Sequence, residues 1–207
     1  DYYIDIADNL GFRRYQYWLW DNRAKIYIYD DAEEYRIATG GPAWSYGHAS
    51  PKSKIINSFV SDNEIFFNTI LPHELGHLIF REFIGFENRT IPLWLDEGVA
   101  CYQEERKRPY AQRIVKQAMK NGSFIGLEKL STFNVNAQQD NEIVKLFYAE
   151  AVTMVDYLIK EFGEDKFVYF CRKLRDQGDF QELLLSSYQF SSIQRLDKAW
   201  QEYIRGE

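Results

Sequence analysis

Two histidines and a glutamate are spaced in this chain as metal-assisted hydrolysis requires. The segment from His73 to His77 reads His-Glu-Leu-Gly-His. If it is helical, both imidazoles project from one face, with roughly 5–6 Å between their Cβ atoms, and can bind one metal ion. Glu74 then lies about 100° further round the helix, beside the open side of the ion, where a general base belongs. The spacing therefore predicts two metal ligands and a base.

The alternative is a helix whose histidines and glutamate have no role in chemistry. The flanking residues support a helix with one buried face. Pro72 is tolerated in a first helical turn, and Gly85 suits a helix end. Apolar side chains recur at helical spacing at Leu71, Leu75, Leu78 and Ile79. We predict a helix of about four turns.

A third metal ligand must come from another segment, because a catalytic zinc site keeps three protein ligands and one water. Glu97 is the best candidate, within the sequence Trp-Leu-Asp-Glu-Gly-Val-Ala of residues 94–100. Nineteen residues separate it from His77, enough to finish the first helix, cross a loop and begin a second helix near Leu93. We predict that the two helices pack side by side.

Together the two segments resemble the gluzincin metallopeptidases, specifically their peptidase-MA-like domains. Those domains carry H-E-x-x-H and a downstream W-L-x-E-G-x-A, and both signatures occur here without substitution. The resemblance implies that His73, His77 and Glu97 bind one Zn²⁺ ion. It also implies that Glu74 is the base and that a mixed sheet is followed by helices. It is strong over residues 70–105 and covers the rest only in outline.

Two other classes of zinc peptidase are excluded. Metzincins need a third histidine six residues after the second, where this chain has Phe83. The inverted order H-x-x-E-H is absent.

The expected reaction needs a hydrogen-bond donor for the developing oxyanion. Zinc would lower the pKa of a bound water towards about 7 and polarise a carbonyl, while Glu74 moves the proton to the leaving amine. Gluzincins often use a tyrosine or histidine as the donor, and residues 146–151 resemble the tyrosine-bearing helix of that family. Tyr148 is therefore the candidate. The alternative is that Tyr148 only packs at the edge of the core, since apolar residues around it recur at helical spacing.

Asp96 and His48 each have two interpretations. Asp96 could accept a hydrogen bond from a ligating histidine, although we favour capping or solvation of an early helical turn. His48 could be a second oxyanion donor, but it lies in a segment rich in turn residues, so we favour an exposed loop histidine. Neither is included in the predicted catalytic set.

Composition narrows the function classes. The 207 residues, 45% of them hydrophobic, suffice for a hydrophobic core that needs no stabilising cross-links. The net charge of −6 opposes nucleic-acid binding. The largest basic run, residues 106–108, is interpreted as the last turn of a helix. The chain has only two cysteines, Cys101 and Cys171, which excludes a disulfide scaffold and a cysteine-based zinc site. They are either two buried thiols or the two ends of one disulfide bond.

No run of eighteen apolar residues occurs, so no membrane-spanning helix is predicted. The chain begins at Asp1 rather than Met, so we expect a fragment or a mature product whose leader, if any, has been removed. This leaves an extracytoplasmic or secreted location open. The sequence carries no signal for an oligomeric state.

The pattern of elements predicts an α+β fold, and the resemblance to gluzincins implies that this fold is zincin-like. The first half is expected to contain a helix over 3–17, a strand over 25–29, a helix or turn over 31–39, a loop over 40–51, and strands over 54–60 and 64–68. The second half is expected to contain helices over 109–120, 141–162, 164–177 and 191–205. We predict one catalytic domain over 1–207, with the active-site helix in the sheet-bearing half, 1–85, and the glutamate helix in the helical half, 86–207.

In proteins that resemble this one, an edge strand lies along the cleft and pairs with an extended substrate. Residues 55–59 would fit this role, because an unpaired edge offers main-chain groups to any peptide. The alternative is that this strand is central and fully paired.

The favoured function is a zinc-dependent peptidase that acts on peptides or proteins, with endopeptidase action preferred because no motif for an N-terminal amine anchor occurs. The alternative is a non-catalytic, zinc-stabilised domain that binds a peptide or protein. The intact Glu74 opposes it, since a structural zinc site needs no base and is closed by four protein ligands. A zinc hydrolase of another amide or an ester would share the metal chemistry.

Overall fold

A three-stranded sheet precedes most of the helices along the chain. The computed structural model describes residues 2–12, 23–41, 45–104, 106–176 and 178–206. The strands are β1 (Lys25–Tyr29), β2 (Gly47–Ser50) and β3 (Ile55–Phe59). The helices are α1 (Tyr2–Asn9), α2 (Ala32–Thr39), α3 (Asn63–Ile65), α4 (Leu71–Ile84), α5 (Leu93–Tyr102), α6 (Lys107–Asn121), α7 (Leu127–Leu130), α8 (Asn141–Phe162), α9 (Glu164–Arg175), α10 (Phe180–Tyr188) and α11 (Ile193–Arg205). The predicted α+β class, with a small mixed sheet followed by helices, is confirmed.

The strand order is β1-β3-β2, with β1 parallel and β2 antiparallel to β3. β3 is paired on both sides, so the prediction that residues 55–59 form the edge along the cleft is wrong. Among the described residues the edge strand on that side is β2, which the sequence predicted as part of a loop. Its sequence, Gly-His-Ala-Ser, has little strand propensity, and pairing with β3 imposes the extended conformation.

The strand predicted over 64–68 is also wrong, because the chain is helical from 63 to 84. α3 continues through a π-helical segment, Phe66–Ile70, into α4. Asp62 begins this helix, since its Oδ1 accepts a hydrogen bond of 2.8 Å from the backbone N–H of Glu64. The strand propensity of the Ile-Phe-Phe run is overridden by this cap and by the helix that follows.

Several boundaries differ from the predicted ones. α1 ends at Asn9, before Gly11 at φ +73°, and residues 13–17 of the predicted helix lie outside the described residues. α7 and α10 were not predicted. Lys107 and Arg108 begin α6 rather than end a helix. Both cysteines are buried free thiols, and within the described residues no helix is long and apolar enough to cross a membrane.

Two glycines allow the helices that carry the predicted site to lie very close together. α5 packs between α4 and α8. A Cβ atom on Gly76 of α4 would lie 2.9 Å from Ala100 Cα of α5, and one on Gly98 of α5 would lie 2.5 Å from the Ala151 carbonyl oxygen of α8. Both separations are too short for a side chain, so hydrogen is the only substituent that fits. The glycines therefore set how near α5 comes to its two neighbours.

Gly98→Ala should destabilise the protein, because the new methyl group would meet the Ala151 carbonyl oxygen at 2.5 Å and Val155 Cγ2 at 2.8 Å. We expect a loss of about 1–3 kcal/mol in the free energy of unfolding, measured by chemical denaturation. Gly178→Ala is the control, since its methyl group would meet only the Leu183 side chain, at 3.1 Å. Equal losses in both variants would contradict the tight α5–α8 contact.

Candidate metal centre

The five predicted site residues come from three helices and line one cavity of about 880 Å³. α4 supplies His73, Glu74 and His77, α5 supplies Glu97, and α8 supplies Tyr148. Residues 45–49, which include the start of β2, line the same cavity. The structure therefore places together residues that lie up to 75 positions apart in the sequence, since Tyr148 follows His73 by that number.

Three potential ligand atoms converge on one point. His73 Nε2 and His77 Nε2 are 3.2 Å apart, and each lies 3.7 Å from Glu97 Oε2. A tetrahedral zinc ion with bonds of about 2.0–2.1 Å holds its ligand atoms roughly 3.3–3.4 Å apart. The spacing of the three atoms fits a single ion of that size.

Hydrogen bonds on the far side of each imidazole fix which nitrogen faces the centre. His73 Nδ1 lies 2.8 Å from Glu104 Oε1, and His77 Nδ1 lies 3.1 Å from Asp96 Oδ1. A carboxylate only accepts, so each Nδ1 donates its proton, and each Nε2 turns towards Glu97. Ligating histidines have this arrangement in metal sites.

The electrostatics of the cluster favour a positive charge between the two histidines. Burial lowers the pKa of His73. Burial also opposes charge on His77, but the charges of Asp96 and Glu97 outweigh it and raise the pKa of His77 to about 10. Two imidazole nitrogens 3.2 Å apart beside a carboxylate therefore need a proton or a metal ion among them. The donor set of two imidazoles and one carboxylate suits Zn²⁺.

Asp96 orients a histidine instead of capping its helix, so the favoured interpretation of this residue is wrong. Its Oδ1 accepts from His77, while its Oδ2 accepts from Arg81 Nη2 at 2.7 Å and Arg81 Nε at 2.9 Å. Burial opposes ionisation, yet the charges of His77 and Arg81 hold the pKa of Asp96 at about 2. The prediction failed because Arg81 lies fifteen residues from Asp96 in sequence, on the neighbouring helix α4, so sequence spacing does not reveal that the two residues pair.

Glu74 is a buried carboxyl group that lies beside Gly47, the first residue of β2. It is 6% exposed, and a Cβ atom on Gly47 would lie 2.8 Å from its Oε1. Burial raises the pKa of Glu74, and the charges of His77 and His48, followed by a hydrogen bond from the Ala49 backbone, offset part of the rise. A raised pKa makes the carboxylate a stronger base, which suits the proton transfers of general acid–base catalysis.

Tyr148 combines features of both of its interpretations. Its ring packs against the core at 5.5 Å from the ring of Phe147, in an edge-on arrangement, and the residue also lines the cavity. Burial and then the charge of Glu97 raise the pKa of Tyr148, so its hydroxyl stays protonated and can donate.

His48 belongs to β2, and its predicted place in a loop is wrong, although its predicted exposure is correct. It lines the cavity.

Sequence reasoning missed a cluster behind His73. Glu104, which is 4% exposed, accepts from His73 and also from Lys107, whose Nζ lies 2.7 Å from Oε1. Lys107 Nζ lies 3.3 Å from Cys101 Sγ. Positions 97, 101 and 104 recur with the i, i+4, i+7 spacing of one helical face, a signal that could have linked Glu104 to the predicted ligand Glu97.

Comparison with known families gives one match. Residues 20–206 match the family model described as the Peptidase MA superfamily. Searches of curated proteins and of solved structures returned no match.

Asp96→Ala should weaken zinc binding by about 10–100-fold, the usual effect of removing the group that orients a ligating histidine. His77 would lose the acceptor at Nδ1, and Arg81 would be left without its carboxylate partner. Competition with a chelator of known affinity measures the loss. Asp165→Ala, at an exposed position in α9, is the control. Equal zinc affinity in both variants would show that Asp96 does not orient His77.

Proposed function

Because the chain belongs to the peptidase MA superfamily, we propose that it is a zinc-dependent metallopeptidase of the gluzincin type. His73, His77 and Glu97 are the proposed zinc ligands. The observation that carries the proposal is the convergence of their three ligand atoms, 3.2–3.7 Å apart, beside the buried carboxyl group of Glu74. A structural zinc site is closed by protein ligands and needs no such base.

Glu74 is the proposed general base and acid. Bound zinc would supply Lewis acidity that polarises a carbonyl and lowers the pKa of a water. Glu74 would take a proton from the attacking water and deliver it to the leaving amine, a role that its raised pKa supports. Tyr148, held protonated in the same cavity, would donate a hydrogen bond to the developing oxyanion.

We propose that an extended peptide or protein segment binds along β2. This strand pairs with β3 on one side, and its residues line the cavity that contains Glu74. Pairing with an outer strand engages the substrate main chain on both sides of the cleaved bond, which favours endopeptidase action. Tyr46, Ile65 and Phe86 are exposed apolar side chains in the cavity lining and would contact substrate side chains.

The chain is proposed to be one catalytic domain over 1–207. The halves 1–85 and 86–207 meet at the packed pair α4 and α5, and each contributes part of the ligand set.

Glu74→Gln should retain zinc and lose at least about 10²–10⁴-fold in turnover, because the amide cannot accept the proton of water. His77→Ala should lose both zinc and turnover. Cleavage of a diverse peptide library, read by mass spectrometry, and metal analysis measure the two properties. Glu161→Gln, at an exposed position of α8, is the control. Turnover by Glu74→Gln at the unmutated rate would refute the mechanism, and zinc binding without any cleavage by the unmutated chain would favour the binding-domain alternative.

Tyr148→Phe should lower turnover by about 10²–10³-fold at unchanged zinc content, because only the oxyanion donor is removed. Tyr169→Phe, half exposed on α9, is the control. Thermal unfolding of the zinc-loaded variants separates the two interpretations of Tyr148. A lower unfolding temperature with unchanged turnover would assign it a packing role alone.

A further inference from the structure

Lys107 lies near the Nδ1 atom of the proposed zinc ligand His73, whose Nε2 faces Glu97. Its Nζ lies 2.7 Å from Glu104 Oε1 and 3.3 Å from Cys101 Sγ. The same Oε1 accepts from His73 Nδ1 at 2.8 Å. One carboxylate oxygen is thus shared between the lysine and the histidine.

Glu104 cannot hold its position without cationic or N–H partners. Its side chain is 5% exposed, so it has lost its hydration shell, and a buried carboxylate is stable only when paired and hydrogen-bonded. Among the described residues, the hydrogen bonds shorter than 3 Å to its side chain come from His73 and Lys107. Lys107 therefore compensates the negative charge of Glu104. This compensation allows the buried carboxylate to stay beside the imidazole of His73.

Lys107 also occupies the place of a competing cation. His73, Cys101 and Glu104 each offer one ligand atom, all within 4.8 Å of one another, and could themselves hold a metal ion. The ammonium group already donates hydrogen bonds to two of these three residues, to Glu104 Oε1 at 2.7 Å and to Cys101 Sγ at 3.3 Å. This keeps Glu104 as an acceptor for Nδ1, so His73 presents Nε2 to Glu97.

We propose that Lys107 is a positioning residue that fixes the metal-binding orientation of His73 by holding Glu104 against it. The inference rests on the proposed zinc site. The other histidine is held in a matching way, since Arg81 pairs with Asp96 and Asp96 accepts from His77. Each proposed zinc histidine is thus backed by a carboxylate and each carboxylate by a cation. Among the described residues, Lys107 makes no hydrogen bond to Glu97 or Glu74. Its Nζ lies 3.3 Å from Cys101 Sγ and 5.7 Å from the centre of the Tyr148 ring, and the shared Oε1 of Glu104 is its hydrogen-bonded connection to His73.

A double-mutant cycle tests this path. The zinc affinities of the unmutated chain, Lys107→Met, Glu104→Gln and the double variant are measured by chelator competition. We expect Lys107→Met to weaken zinc binding about 10-fold or more, and to have no further effect in the Glu104→Gln background, because coupled residues are not additive. Losses that simply add would overturn the proposal, since Lys107 would then act without Glu104.

Two more variants separate charge from packing. Lys107→Arg keeps the cation and should restore zinc affinity to within about threefold of the unmutated value. Lys52→Met is the matched control, because Lys52 also lines the cavity but pairs with Glu87 at the surface. The zinc affinity of this variant should equal that of the unmutated chain. If Lys107→Met does not fold, Lys107→Gln, which keeps N–H donors without the charge, replaces it in the cycle.

The outcomes separate this inference from the proposed function. Failure of the unmutated chain to bind zinc would refute the proposed metallopeptidase and the positioning role together. Zinc binding by the unmutated chain with equal affinity in Lys107→Met would refute the positioning role alone. The positioning role would be established by three results together. Lys107→Met weakens zinc binding, Lys107→Arg restores it, and Lys107→Met has no further effect in the Glu104→Gln background.

Discussion

The approach of two imidazole nitrogens and one carboxylate oxygen within 3.7 Å of each other is the constraint on which the site depends. Such an arrangement is stable only if positive charge lies among the three atoms. The surrounding groups meet this requirement in layers. Asp96 and Glu104 accept the outer protons of the histidines, and Arg81 and Lys107 compensate those two buried carboxylates. Charges of alternating sign therefore extend outward from the centre.

This charge arrangement needs helices that approach closely. His73 and His77 lie on α4, while Asp96 and Glu97 lie on α5, so the backbone separation of the two helices sets the distances between their polar side chains. Gly76 keeps that separation small, and Gly98 lets the other face of α5 pack closely against α8. The second signature of the sequence thus contains the proposed ligand Glu97 and, in the adjacent position, the glycine that lets its helix pack against α8. Packing and chemistry are encoded in neighbouring residues.

The sheet contributes to the site mainly through β2. Gly47 lies so near Glu74 that a methyl group in its place would meet the carboxylate at 2.8 Å, and the Ala49 backbone donates to the same side chain. An outer strand and the proposed base therefore share one wall of the cavity. A peptide paired with β2 would lie beside Glu74, which is the geometric basis of the proposed substrate position.

The sequence alone predicted the features that depend on short spacings. The i, i+4 histidines, the cap and glycine signals that end α4 and α8, and the order of sheet before helices all follow from local rules, and the structure agrees with the predicted elements. Only the tertiary structure determined which strand is central, that residues 64–68 are helical, and that Asp96, Glu104 and Lys107 belong with the histidines. These features depend on partners that are distant in sequence. Strand pairing and the pairing of buried charges are decided by which groups meet after folding, and local propensity carries no information about that meeting.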